Sequence, residues 1–230
     1  MKFITFGTRM NSQNLGQPKP AKAFIPEWYK KAETTFIDSR NGFESDSGLK
    51  KCVPYLDVMM SGYMLVTPFD IYVSRDESGQ IKIGWNGPED MHDTFEVRPV
   101  EQGSTIPRPP GYENVLISFS SKWGWKLPRG YSALVAPPFN RTDLPFFPTS
   151  GIIDSDRFWA NGSIPMFIRC DISGTIPAGT PLAQIIPIKR NSWKMLINKF
   201  LSDEFSVHGG EARIKNKNYK KKYWVRKEYQ

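Results

Sequence analysis

Proline and glycine cut this chain into short pieces, most visibly between residues 128 and 190. Three apolar phrases lie there between breaks: PRGYSALVAPPFNR (Pro128–Arg141), GIIDSD (Gly151–Asp156) and IPAGTPLAQIIPI (Ile176–Ile188). Proline removes a backbone donor and glycine is a poor helix former, so a helix cannot run through such breaks. Short runs rich in Val, Ile and Leu between turn residues read instead as strands. With 18 Gly and 19 Pro in 230 residues, the same punctuation covers most of the chain and predicts a mainly β protein. Further strands are expected at Phe3–Phe6, Tyr63–Val66, Asp70–Val73, Phe95–Val97, Val115–Phe119 and Met166–Cys170. Asp76-Glu77-Ser78-Gly79 is turn chemistry for a hairpin that returns through Ile81-Lys82-Ile83.

Helices are expected in only a few places. Pro26 and Glu27 suit the first turn of a short helix over Ile25–Lys31, and Val53–Met60 reads as a short buried helix or turn. Ser192 is a plausible N-cap, with Trp193, Leu196, Ile197, Phe200 and Leu201 at helical spacing behind it. That pattern predicts an amphipathic helix over 191–207 packed on the β core, ended by Gly209-Gly210. The resulting division is an N-terminal β-rich part (1–106), a β core (107–190), the helix (191–207) and a C-terminal arm (208–230). Pro107–Gly111 marks the main boundary.

Several function classes are set aside by composition. No apolar run approaches the roughly 20 residues of a membrane span. The N-terminus, MKFITFGTRMNSQNLG, is interrupted by Thr5 and Gly7 and reads as a first strand rather than a secretion signal. Cys52 and Cys170 then read as reduced thiols. His92 and His208 are the two histidines, neither near a cysteine in sequence, so no zinc site is expected. Trp123-Gly124-Trp125 reads as core packing.

Charge is concentrated at one end. The net charge is +8, and residues 211–230 hold eight Lys or Arg against Glu211 and Glu228, leaving the preceding body close to neutral. In this arm Lys215, Lys217, Lys220, Lys221, Lys222, Arg226 and Lys227 are interleaved with Tyr219, Tyr223 and Trp224. Cations and aromatics so mixed suit phosphates and bases, or an acidic protein surface anchored by aromatic residues.

The three phrases of residues 128–190 resemble the β-clip scaffold of dUTPases and dCTP deaminases. The resemblance implies a β-clip or dUTPase-like barrel in which an aspartate of GIIDSD, Asp154 or Asp156, activates water. It further implies nucleotide-binding roles for Asn140 and Arg141 of PPFNR, for Phe158 as a stacking ring, and for Gln184 of the closing strand. Mg²⁺ enters only with nucleotide hydrolysis; otherwise no cofactor is expected. The departures are specific. Arg157-Phe158 stands where that family has a stacking tyrosine, and Met64 follows Ser61-Gly62-Tyr63 where an acidic residue would be wanted. A lysine-rich end replaces the glycine-rich closing arm.

Over most of its length the chain is also similar to an uncharacterised family of tailed-bacteriophage proteins. The similar phrases are IPEWYKK (Ile25–Lys31), KKCVPYLDVMMSGYMLVTPFDIYV (Lys50–Val73), PRGYSALVAPPFNR, GIIDSD, PAGTPLAQIIPIKRNSWKM (Pro177–Met195) and YKKKYWVRKEY (Tyr219–Tyr229). This resemblance implies a phage protein acting in the virion or in the cytoplasm of the infected host. The expected role is non-enzymatic, as a capsid decoration or accessory structural protein or as a partner-binding factor using its basic arm. Its expected partners are a phage or host assembly, a second copy of itself, or nucleic acid through the tail; no membrane is expected. The alternative is a nucleotide-binding or nucleotide-hydrolysing protein of the dUTPase kind.

Overall fold

The computed structural model describes residues 2–8, 14–45, 48–88, 93–159, 162–197, 202–214 and 219–230, with the backbone alone at 202, 203 and 211–214. The chain divides into two compact units, each built from two separate segments. One is Met1–Ala21 with Gly62–Arg190, and the other is Lys22–Ser61 with Asn191–Gln230. Residues on both sides of Pro107–Gly111 therefore belong to the same unit.

The first unit is made of antiparallel sheets. Its longest strand, β16 (Pro181–Lys189), lies between β11 (Tyr131–Ala136) and β5 (Tyr63–Val66). The sheet is extended by β13 (Gly151–Ile153) beyond β11 and by β2 (Lys19–Pro20) beyond β5. A second sheet orders β12 (Phe146–Pro148), β14 (Ser163–Ile168), β9 (Ile117–Ser120) and β8 (Phe95–Val97). The third holds β15 (Gly174–Ile176), β6 (Ile71–Arg75) and β7 (Ile81–Trp85), while β1 (Thr5–Thr8) pairs with β10 (Trp123–Lys126). One helical turn, α3 (Val100–Gly103), interrupts them. The protein is mainly β, as its punctuation predicts. Among the described strands each sheet stays open at both ends, and no closed barrel is found among them.

Local chemistry explains the connections. Between β6 and β7, Asp76 Oδ1 accepts from the Ser78 and Gln80 backbone N–H groups, each at 3.0 Å, and Gly79 supplies a φ of +80°. The Ser78 hydroxyl bond, aided by Lys82 and the Gln80 N–H, lowers the Asp76 pKa to about 2. The sheets share one core in which Leu65, Ile71, Ile117, Met166, Ile168, Leu182 and Ile185 are completely buried. At its centre Phe95 meets Phe119 at 5.2 Å and Phe146 at 6.4 Å between ring centroids. Trp125 is buried there too, and Trp123 donates to the Leu15 carbonyl at 2.8 Å, so the Trp-Gly-Trp phrase serves packing.

The second unit has little core of its own. It holds α1 (Glu27–Lys31), the short hairpin β3 (Phe36–Ile37) and β4 (Glu44–Ser45), α2 (Val53–Met60) and α4 (Ser202–Ile214). Its buried apolar side chains among the described residues are Pro26, Tyr29 and Met59. Tyr29 stacks on Tyr55 at 6.0 Å and donates to the Lys50 carbonyl at 3.2 Å, and burial raises its phenol pKa. The helix expected over 191–207 lies elsewhere. Residues 191–197 are without regular structure, α4 starts at Ser202, and Gly209-Gly210 falls inside it. Phe200 and Leu201 lie outside the described residues. A short helix needs a packed face to persist, and Trp193, Leu196 and Ile197 have none, each being more than 80 % exposed. Cys52 and Cys170 are both exposed free thiols.

Candidate functional site

The two aspartates of GIIDSD converge on a residue that motif reading overlooks. Beyond β13 the chain turns sharply: the Arg157 and Phe158 N–H groups both donate to the Asp154 carbonyl at 2.9 Å. Ser155 is buried in this turn, accepting from the Trp125 indole at 3.1 Å. The turn thereby presents Asp154 and Asp156 on either side of Ser155, opposite the start of β11 and the end of β16.

There Arg190 takes both. Its Nη1 donates to Asp156 Oδ1 at 2.8 Å and to Asp154 Oδ1 at 3.1 Å, while Nη2 closes a second, short bond to Asp156 Oδ2. The Gly130 N–H donates to Asp156 Oδ2 at 2.8 Å, and the Ser132 hydroxyl donates to Asp154 Oδ1 at 2.7 Å. Arg190 also donates to the Tyr131 carbonyl at 3.2 Å. Bidentate pairing of this kind is the strong form of a carboxylate–guanidinium contact.

Its electrostatic result runs against base catalysis. The Arg190 guanidinium, then the Gly130 N–H, hold the Asp156 carboxyl far below the usual carboxylate range. The Ser132 hydroxyl, then Arg190, lower Asp154. Asp156 in turn raises the Arg190 pKa. A general base works best with a pKa near the operating pH, and both carboxyls are shifted the other way. Asp156 is also only 4 % exposed, leaving little access for an attacking water. A bound Mg²⁺ does not fit this donor set, because the fixed guanidinium already occupies the face that both carboxylates share. Among the described residues, no group of three or more His, Cys, Asp or Glu is arranged to hold a metal.

The other nucleotide-binding candidates gather elsewhere. Gln184, in the middle of β16, is fully buried, and its Oε1 accepts from the Phe139 N–H at 3.0 Å. This bond pins the turn in which Asn140 adopts a φ of +59°, a left-handed conformation that asparagine tolerates. Arg141 makes a bidentate pair with Asp143 at 2.8 and 2.9 Å, so its charge is already balanced. Ala136 pairs with Gln184 and Tyr131 with Lys189. The Gln184 and Arg190 ends of β11 are thus five residue steps apart, about 17 Å at the usual strand rise. Phe158 lies on the aspartate side and is exposed, while Lys126 covers the adjacent Trp159 ring at 4.5 Å. A cavity of about 570 Å³ lies beside Tyr112, Phe147 and Arg169. None of the six candidates lines it.

The arm is partly tied down within its own unit. Tyr219–Tyr223 forms one π-helical turn, and the Trp224 N–H donates to the Tyr219 carbonyl at 2.9 Å. Asp57 Oδ2, on α2, then accepts from the Trp224 indole at 2.6 Å and from the Lys227 ammonium at 2.7 Å. Tyr223 is hydrogen-bonded to His208 at 3.0 Å, and Arg226 pairs with Glu228 at 3.2 Å. Tyr219, Lys220, Lys221 and Lys222 are exposed, and Lys215 and Lys217 lie outside the described residues. Sequence reading missed both Arg190 and Asp57. Asp57 has a visible signal, as the one acidic residue in VPYLDVMM.

Comparisons with known proteins add little to this geometry. No protein-family model matches the chain, and no curated protein matches it. Among solved structures, it is similar to an aspartate-to-asparagine mutant of the dUTPase from phage phi11 of S. aureus. That similarity covers 46 % of this chain and 97 % of the other, with 13 % identity and a TM-score of 0.26. Among the described residues, no helix is long and apolar enough to cross a membrane.

Proposed function

We propose that this chain is a non-enzymatic bacteriophage protein whose basic C-terminal arm binds an acidic surface on a phage or host protein assembly. It would act in the virion, as a decoration or accessory component, or in the cytoplasm of the infected bacterium. The observation that carries the non-enzymatic part is the neutralisation of Asp154 and Asp156 by Arg190. Nucleotide hydrolysis in the manner of dUTPases would need these carboxylates, Asn140, Arg141, Phe158 and Gln184 around one ligand, and they divide between the two ends of β11.

The arm supports the binding part. Trp224 and Lys227 are engaged on Asp57, which fixes the arm's path, and Lys220, Lys221 and Lys222 are exposed in succession before them. Clustered cations accelerate encounter with an acidic partner and set its orientation.

Poly-glutamate and a single-stranded oligonucleotide serve as the two probes. At physiological salt the full chain is expected to bind poly-glutamate, and reversing the charge of Lys220, Lys221 and Lys222 to Glu to weaken it about tenfold or more, equivalent to about 1.4 kcal/mol. Preference for the oligonucleotide would shift the assignment to nucleic acid, and binding indifferent to the reversal would remove the arm from it. Incubation with a panel of nucleoside triphosphates and Mg²⁺ is expected to yield no product. Turnover that disappears in Asp154→Asn would reinstate the nucleotide enzyme.

A further inference from the structure

Two donors of the arm close on one oxygen. The Trp224 indole N–H and the Lys227 ammonium reach Asp57 Oδ2 at 2.6 and 2.7 Å, and the ammonium lies 5.9 Å from the Trp224 ring centroid. Neither group can accept a hydrogen bond, so each is satisfied only by an acceptor. An indole N–H and an ammonium aimed at one point suit a carboxylate oxygen, whose charge-assisted bonds are the strong ones. All three residues belong to the second unit.

The carboxylate that meets these donors comes from α2, outside the arm. Its hold is of an exchangeable kind. Both bonds fall on the same oxygen, and Lys227 keeps 48 % of its side chain exposed, so the ion pair is screened by solvent and contributes little. Between the two donors, Val225 and Arg226 project into water. Among the described residues, this unit buries few apolar side chains that could hold the arm more firmly.

We propose, on the reading that the arm binds an acidic surface, that Trp224 and Lys227 form its carboxylate-binding site. Asp57 fills that site in the unbound chain, in place of an acidic side chain of the partner. An acceptor tethered in the same chain competes at an effective concentration on the order of millimolar. Isolated carboxylates such as free glutamate are therefore turned away. An acidic surface brings several carboxylates at once and also pairs with the Lys220–Lys222 run, so it displaces Asp57. Apparent affinity falls by the fraction of chains in which a site is open. With about one chain in ten open, removing the Asp57 carboxylate tightens binding about tenfold.

Poly-glutamate at physiological salt is the probe, with the full chain. Asp57→Asn keeps the side-chain shape, removes the charge, and is expected to bind about tenfold more tightly than wild type. Glu27→Gln removes one negative charge from an exposed pair with Lys30 in the same unit. It is expected to change affinity by less than about twofold, because exposed charges are screened at this salt. Trp224→Phe with Lys227→Met is expected to weaken binding, and Asp57→Asn added to that pair is expected to bring no gain. In wild type, saturating poly-glutamate is expected to shift the magnetic resonance signal of the Trp224 indole proton, identified by its loss in Trp224→Phe. An unmoved signal would overturn the proposal even where Asp57→Asn fails to fold. So would equal gains from Asp57→Asn and Glu27→Gln, which would reduce the effect to net charge. If wild type binds as tightly as Asp57→Asn, the role of Asp57 falls and the binding role of the arm stands. If neither chain binds, both fall.

Discussion

Replacing Gly62 with alanine is expected to leave little or no folded protein. Gly62 enters β5 with a φ of +70°, in the left-handed region, and a Cβ built there lands far inside contact with the Ile185 carbonyl oxygen. The Ile186 Cα would be 3.1 Å away. Both neighbours are backbone of β16, which is held by β11 on one side and β5 on the other, so neither can retreat without breaking ladder bonds. The left-handed conformation alone costs about 1–3 kcal/mol for a residue with a side chain. The collision adds to that, against a total stability of about 5–15 kcal/mol for a typical domain. Gly174→Ala provides the control, because Gly174 has a φ of +90° and nothing within 4 Å of its Cβ position. Thermal unfolding followed by circular dichroism should show a much larger fall in Tm for Gly62→Ala. Equal falls would mean that backbone conformation, and not the approach of β16, makes this glycine necessary.

What the sequence discloses here depends on how far each interaction reaches along the chain. Strands and turns are local, so Pro–Gly punctuation locates β11, β13, β16 and the Asp76 hairpin to within a few residues. The helix expected after Ser192 shows the limit of that reasoning. Trp193, Leu196 and Ile197 have helical spacing, but Met195-Leu196-Ile197 is equally a continuous apolar run, and periodicity alone does not separate the two. The site is half legible for the same reason. Asp154 and Asp156 stand out in GIIDSD, whereas the residue that defines their chemistry lies 34 residues beyond Asp156. Only the β11–β16 register, with Tyr131 opposite Lys189, brings Arg190 to them. Likewise Gln184 reads as a pocket residue from its phrase, yet burial commits it to the Phe139 backbone.

The second large effect concerns that arginine. Arg190→Met is expected to lower Tm at neutral pH by several degrees and to change how stability depends on acid. In the wild type both aspartates have folded pKa values below the usual carboxylate range, with Arg190 the largest cause for Asp156 and a contributor for Asp154. The stability they contribute is therefore fully present above an unfolded aspartate pKa of about 3.9 and is lost as pH falls toward the lower folded values. Without Arg190 the carboxylates keep the Gly130 and Ser132 bonds but face each other as like charges, so less stability remains to be lost on acidification. Urea midpoints of wild type and Arg190→Met should differ most at pH 7, and the gap should begin to narrow as the pH falls below about 3.9 and go on narrowing toward the lower folded values. Combining Arg190→Met with Asp154→Asn and Asp156→Asn should recover part of the loss, because removing both sides of an ion pair costs less than orphaning one. A difference that stays constant across this pH range would show that Arg190 serves by packing. The carboxylates would then be freer to act as bases than their neutralisation implies, and the non-enzymatic reading would lose the observation that carries it.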